Sequence, residues 1–408
     1  MDFTLTDGQK KLVSAFRTFG ADTFTPERVA KWCRDQGLPD TVMKEFVDLY
    51  YETAEPDIAP DLAHSLLSQV LIVEELSRCA GTTLPFQNDL FNLQILSGFA
   101  GAAEAASIAE DYRADGRLMF ALAISEPDGG SDTMAMKTSC QTVDGRLLLN
   151  GRKSYVNNGE YAPYILVAAI DKDAGDTGRY PSLSFWLVPR SVPGINAVPI
   201  SKIGQSMLPF ALISFDDVEL SPEWRLDASE GGFQQLFHLL EYGRVLLCAS
   251  SLGMAQAAMD DAVAHARSRK AFGVQVGRFQ QIETLLTDME VRLRNMRSMV
   301  YRAAWSIDAA DETERLDVAL MKRYVPEASV QVASDAMQIL GGLGYTEGSR
   351  VSRIWEDCRG NQIAEGTDQV FTLNYFAGGF YTISTQVDGK TLRLSADKIT
   401  VSLSSPSI

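Results

Sequence analysis

Ala121-Leu-Ala-Ile-Ser-Glu-Pro-Asp-Gly-Gly-Ser-Asp132 sits where the character of the chain changes. Its first residues are apolar, and Pro127-Asp-Gly-Gly130 is turn chemistry: proline presets one backbone angle and glycine accepts angles closed to other residues. Taken alone, the loop has two readings. It is a polar connection leaving a strand, or its glycines bring backbone N–H groups close to a planar or anionic ligand. Before it, to about residue 118, apolar residues recur at helical spacing. Leu12, Val13, Phe16 and Phe19 form one series; Leu66, Leu67, Val70, Leu71, Val73 and Leu76 form another that stops before Gly81. After it, to about residue 225, short β-rich runs take over. Leu147-Leu-Leu149 follows the Asp144-Gly145 turn, Tyr164-Ile-Leu-Val-Ala-Ala-Ile170 is continuously apolar, and Leu183–Val188 and Ala211–Phe215 continue the pattern.

Helix returns from about 230 to 380. Ile282, Leu285, Leu286, Met289, Leu293, Met296, Val300 and Ala303 step by three and four, which predicts a long amphipathic helix packed on a neighbouring helix or subunit. Cys248-Ala-Ser-Ser-Leu-Gly-Met-Ala-Gln-Ala-Ala258 is rich in small residues and allows helices to approach closely. Thr382–Ile408 alternates polar and apolar around Asp388-Gly389, as a hairpin or a loose tail does. The chain therefore reads as α+β in four segments: helical 1–118, β 119–228, helical 229–380, and an extension 381–408 without an assigned structure.

Composition narrows the function classes. The 408 residues carry 37 Lys plus Arg against 53 Asp plus Glu, a formal charge of −16. A field of that sign repels nucleic acid and anionic membranes, so neither is an expected partner. Cys33, Cys79, Cys140, Cys248 and Cys358 are scattered, and His64, His238 and His265 form no cluster with them. That pattern argues against a disulfide framework or a zinc site and fits a metal-free protein of a reducing cytoplasm. Met1-Asp-Phe-Thr-Leu-Thr-Asp-Gly8 has no signal-peptide character, and no run of about 18 apolar residues is present. A soluble cytoplasmic protein is the expectation.

Four more constellations follow the first loop. Gly151-Arg-Lys-Ser-Tyr-Val-Asn-Asn-Gly159 centres on an aromatic residue. Arg267-Ser-Arg-Lys-Ala-Phe-Gly273, with Gln280 beyond it, either answers the dipole of the helix it closes or holds a phosphate. Gln338-Ile-Leu-Gly-Gly-Leu-Gly344 is no dinucleotide fingerprint, because that glycine run must follow a strand and open a helix; here the glycines cap a helix end. Gln362-Ile-Ala-Glu-Gly-Thr-Asp-Gln369 sets Glu365 among small and apolar neighbours. It is an exposed loop carboxylate, or a buried one whose raised pKa suits a general base.

In this order and spacing the five resemble the acyl-CoA dehydrogenase family, over roughly residues 1–380. Ser125-Glu-Pro-Asp-Gly-Gly-Ser-Asp132 is similar to the family's Thr-Glu-Pro-x-x-Gly-Ser-Asp. The Gly-x-Lys-x-aromatic, Arg-x-x-Phe-Gly…Gln, Gly-Gly-x-Gly and Glu-Gly-Thr runs follow. Met1-Asp-Phe-Thr-Leu-Thr6 and Met337-Gln-Ile-Leu-Gly-Gly342 also resemble crotonobetainyl-CoA reductase, a member able to run the chemistry reductively. The resemblance implies an N-terminal helical domain, a β-barrel-like middle domain and a C-terminal four-helix bundle. It also implies FAD and a role in fatty acid metabolism: α,β-dehydrogenation of an acyl-CoA thioester, with proton abstraction by Glu365 and hydride transfer to flavin N5. An α-proton is too weak an acid for a carboxylate in water, so donors must stabilise the thioester oxygen where charge develops. Glu365's own N–H and a flavin ribityl hydroxyl are the implied donors. Relatives with the base just before Arg244 would place it at Gly243, which has no side chain to serve.

By the same resemblance, Arg244 joins Glu365 in catalysis, and Ser131, Glu241, Arg244 and Gly366 bind substrate. Ile124, Ser125, Ser131, Tyr155 and Asn157 meet the flavin. Arg269, Phe272, Gln280, Gln338, Gly341, Gly342, Thr367 and Gln369 meet FAD at a subunit boundary, which implies a homo-oligomer, dimer or tetramer. Electron-transferring flavoprotein is the implied acceptor. Tyr155 and Asn157 depart from the usual tryptophan and threonine. Glu356-Asp-Cys-Arg359 replaces Arg-Asp-Ala-Arg, and Glu52–Asp61 replaces a glycine-glycine loop. Three alternatives stay open: an enoyl-thioester reductase or carrier-protein acyl dehydrogenase of the same fold, a non-catalytic subunit of a hetero-oligomer, and a flavin monooxygenase, which would not need Glu365.

Overall fold

Side chains that accept orphan backbone N–H groups mark the first helix starts. The computed structural model describes residues 4–60, 62–98, 103–116, 118–174, 182–226, 232–371 and the strands within 383–404. Thr6 and Gln9 exchange bonds in a capping box that opens α1 (Asp7–Thr23). Thr25 caps α2 (Pro26–Asp35), which has Pro26 in its first turn. After α3 (Asp40–Glu52), Ser65 caps α4 (Leu66–Ala80), and the Asp308 carboxylate accepts from the N–H groups of Leu66 and Leu67 at 2.8 and 2.9 Å. Gly81, at φ +61°, ends α4 in a left-handed conformation. Helices α5 (Phe86–Gly98) and α6 (Ala103–Asp115) follow, and the Phe46 and Phe86 rings stack 4.0 Å apart in this unit's core.

The middle strands are β1 (Ala121–Ala123), β2 (Ser139–Val143), β3 (Arg146–Asn157), β4 (Tyr164–Asp171), β5 (Leu183–Pro189), β6 (Ile195–Ile200), β7 (Phe210–Glu219) and β8 (Arg225–Leu226). They form one eight-stranded sheet in the order β6-β7-β3-β2-β4-β5-β8, with β1 parallel to β4. Asp144 and Gly145, both at positive φ, turn β2 into β3. The continuous apolar run of β4 follows from burial on both faces. Ile165, Val167 and Ala169 enter the sheet's own core, whereas Leu166 and Ala168 enter the helical core. Among the described strands no closed barrel forms, which corrects the barrel-like expectation: β6 pairs only with β7, and two-residue β8 only with β5.

Beyond the sheet run α7 (Gly232–Ser268), the short hairpin β9 (Lys270–Ala271) and β10 (Val274–Gln275), α8 (Gln280–Asp308), α9 (Glu314–Leu340) and α10 (Arg350–Asn361). Helices α7, α8 and α9 pack on one another, α10 lies on α7 and α9, and α4 and α5 lie on α7. The N- and C-terminal helices thus share one core. The small-residue stretch of α7 lies against α4: Ser77 Oγ donates to Ser250 Oγ at 3.1 Å, and a Cβ on Gly253 would stand 2.2 Å from the Glu74 carbonyl. In α8, Met289, Leu293, Met296, Val300 and Ala303 form the buried stripe. In the extension, which the sequence left unassigned, β11 (Ile383–Val387), β12 (Lys390–Ser395) and β13 (Lys398–Ser404) form an antiparallel meander. No described helix is long and apolar enough to cross a membrane.

Candidate active site

β3 is irregular where it matters. Its register against β7 shifts between Lys153 and Val156, and Tyr155 takes φ +58°. That break turns Lys153 inward, to 0% exposure, and leaves the Tyr155 ring 58% exposed, 6.2 Å from Phe210. Lys153 Nζ donates to the Ile124 carbonyl at 2.8 Å and to Glu126 Oε1 at 3.0 Å. Glu126 also accepts from the N–H groups of Lys137 and Thr138, each at 2.8 Å. Burial works against the Glu126 charge; the bonds from Thr138, the Lys153 ammonium and the Lys137 N–H outweigh it and hold the carboxyl below its ordinary range. Burial brings Lys153 down to about 8 in spite of Glu126. The Ser-Glu-Pro loop is therefore anchored from beneath by an ion pair that pattern reading did not single out. A cavity of about 90 Å³ opens along it, lined by Ile124, Ser125 and the glycines Gly129 and Gly130. Ser131 is exposed and does not line it.

A second cavity, about 40 Å³, lies where α5, the end of β3, α7 and the turn after α10 meet; Asn157, Gly243 and Glu365 are among its lining residues. Glu365 takes φ +57° and Gly366 φ +99°, a left-handed pair that a non-glycine residue enters only when its surroundings hold it there. Two buried cations hold it. Arg244 Nε donates to the Glu365 carbonyl at 3.1 Å, and Lys322 Nζ donates to the Gly366 carbonyl at 2.9 Å and the Asn361 carbonyl at 3.1 Å. Both cations also lie over the Phe371 ring, at 4.7 and 5.5 Å. Glu365 Oε2 is buried and lacks a hydrogen-bond partner. A Cβ on Gly243 would stand 3.2 Å from that oxygen and 3.0 Å from the Phe91 ring, so glycine there leaves the carboxylate its space. Burial raises the Glu365 pKa, with Arg244 and Lys322 pulling the other way.

Lys322 and Asp357 carry structural weight that pattern reading passed over. Lys322 is 0% exposed and shares the buried face of α9 with Val318, Val325 and Ser329; a lysine on that stripe was the available signal. Asp357 accepts from Thr82 Oγ1 at 2.8 Å, from the Thr83 N–H at 2.7 Å and from the Gln205 N–H, tying α10 to the end of α4 and to the sheet. Glu241 is buried and pairs with Arg315 at 3.6 Å. Arg269, Phe272, Gln280, Gln338, Gly341, Gly342 and Gln369 are exposed, Thr367 is half-buried, and none of them lines either cavity. Phe272, on the β9–β10 hairpin, is 96% exposed. Asn157 Oδ1 is buried without a partner two residues along β3 from the exposed Tyr155; an aromatic face and a free hydrogen-bonding group suit a planar heteroaromatic such as a flavin. Among the described residues, no group of three metal-ligating side chains occurs.

Two family descriptions match: "Acyl-CoA dehydrogenase, middle domain" over residues 121–218 and "Acyl-CoA dehydrogenase, C-terminal domain" over 230–377. The Escherichia coli K12 protein named "Probable acyl-CoA dehydrogenase YdiO" is 32% identical over 93% of this chain and 97% of its own. An acyl-CoA dehydrogenase structure from Slackia heliotrinireducens is 50% identical, with TM-score 0.82 over 92% of this chain and 96% of that one. Butyryl-CoA dehydrogenase from Megasphaera elsdenii is 27% identical, with TM-score 0.77 over 92% and 98%. A glutaryl-CoA dehydrogenase from Mycobacterium smegmatis, solved in complex with FADH2, shares the fold at 22% identity, with TM-score 0.80 over 91% and 94%. The chain belongs to the acyl-CoA dehydrogenase family and is an oxidoreductase.

Proposed function

We propose that this protein is an FAD-dependent acyl-CoA dehydrogenase in which Glu365 removes the α-proton of an acyl thioester seated in the cavity between α5, α7 and the 362–366 turn. The observation that carries the reading is the half-buried Glu365 carboxylate: its Oε2 is shielded and without a partner, its pKa is raised, and it faces the open space left by Gly243. Such a carboxyl is a stronger base than one in water, and the cations at its backbone offset the charge that remains between turnovers. The Glu365 N–H is the proposed donor to the thioester oxygen, where charge grows as the α-proton leaves. Tyr155 and Asn157 would hold the flavin ring, with Ile124, Ser125 and Ser131 beside it. FAD held by these residues would supply the hydride acceptor for the β carbon, at flavin N5. Glu241, Arg244 and Gly366 would complete the thioester side.

The exposed Arg269, Phe272, Gln280, Gln338, Gly341 and Gly342, with Thr367 and Gln369, would reach the FAD of a second copy. That supports a homo-oligomer, and electron-transferring flavoprotein would accept the electrons. Anaerobic titration of the purified protein with saturated acyl-CoAs tests the reading. The visible flavin band should bleach with at least one acyl class in wild type and stay unbleached in Glu365→Gln. A protein that binds no flavin, or equal bleaching in both, would overturn it. Reaction of the pre-reduced protein with enoyl-CoAs alone would assign the reductive direction.

A further inference from the structure

The α5 wall of the same cavity is polar where an acyl chain needs only apolar contact. Its lining includes Gln87 and Asn88 of α5, with Phe91 four and three residues further on along the same face. Phe91 fixes where that face stands relative to the chemistry, because its ring and the Glu365 carboxylate both crowd the Cβ position of Gly243, at 3.0 and 3.2 Å. Gln87 lies one turn back along α5, about 6 Å from Phe91 along the helix axis. Gln87 Oε1 is shielded from solvent and has no hydrogen-bond partner among the described residues. A buried amide left unsatisfied is costly, and a ligand that satisfies it gains selectivity over one that does not. Leu246, Leu247 and Ala364 supply apolar lining, and no lysine or arginine lines the cavity. A carboxylate at the acyl end would therefore lie desolvated without a counter-charge in that wall.

Resting on the reading of this cavity as the acyl site, we infer that it selects short acyl thioesters ending in an uncharged hydrogen-bond donor, a hydroxyl above all, which Gln87 and Asn88 recognise. Gln87 is then a specificity-determining residue. Calorimetric titration of the holoenzyme with matched esters tests this: butyryl-CoA against 4-hydroxybutyryl-CoA, pentanoyl-CoA against 5-hydroxypentanoyl-CoA, and glutaryl-CoA as the charged probe. The hydroxy ester of at least one pair should bind about tenfold or more tighter than its parent, and glutaryl-CoA should bind worst. Gln87→Met, close to glutamine in shape, should erase the preference while keeping flavin content and Tm; Asn88→Val should weaken it.

Parent esters binding as tightly as hydroxy esters, or a preference unchanged in Gln87→Met, overturns the inference. If the preference is found but no ester bleaches the flavin, the dehydrogenase reading fails and the specificity assignment stands. If no ester binds at all, both fail.

Discussion

The turn carrying Glu365 is gripped at the carbonyl of Glu365 by Arg244 and at those of Asn361 and Gly366 by Lys322. The consequence is a pH signature. Burial raises the Glu365 pKa and the Lys322 ammonium opposes the rise, so Lys322→Met should raise it further. A base must be deprotonated to act, so the rising limb of the bleaching rate should move to higher pH. Lys322→Arg should recover part of the shift. A slower variant with an unmoved profile would make Lys322 merely structural. Glu365 was legible because a glycine and a threonine follow it in a family-ordered run. Lys322 was not, because a lone helical lysine defaults to the surface and only its place on the buried stripe of α9 says otherwise. Ser131 and Gln338 were named only through the resemblance and Arg269 also as part of a possible phosphate site; none of the three lines either cavity.

Among the elements, α4 and α7 touch most closely at Gly253. An added methyl would strike the Glu74 carbonyl, so Gly253→Ala should cost about 1–3 kcal/mol, read as a lower Tm, by more than Gly37→Ala where no atom lies within 4 Å. The small-residue run announced this contact, although its partner helix was not readable from one sequence. In α5, Asp89 is fully buried, with Tyr112 at 3.5 Å, and burial pushes its pKa up to about 8. An unfolded aspartate loses its proton near pH 4. Between those values the native state holds a proton the unfolded state has released, so stability falls as pH rises. Asp89→Asn should match wild type near pH 4 and gain on it steadily toward pH 8, by at most about 1.4 kcal/mol per unit. Equal Tm differences at both pH values would contradict this. The two-sided burial of β4 was foreshadowed by its unbroken apolar run. The open edges β6 and β8 were not, since edge pairing depends on strands far apart in sequence.

At the scale of the whole molecule, the N-terminal helices, the sheet and the C-terminal helices meet at one point, and Asp357 fastens all three there. On the outward surface, the β9–β10 hairpin presents Phe272 at 96% exposure, where the resemblance implies a subunit boundary. On the proposed assembly, Phe272→Ser should reduce both the mass measured by light scattering and the FAD retained after gel filtration; unchanged mass and flavin would remove the hairpin from the interface. On the proposed function, this convergence makes Glu365 a base for an α-proton. That role is tested most directly by deuterium exchange at the α carbon of a bound saturated acyl-CoA in D2O, followed by NMR under anaerobic conditions. Wild type should exchange that position and Glu365→Gln should not, at equal flavin content. Exchange that persists undiminished in Glu365→Gln would place the base elsewhere and contradict the account.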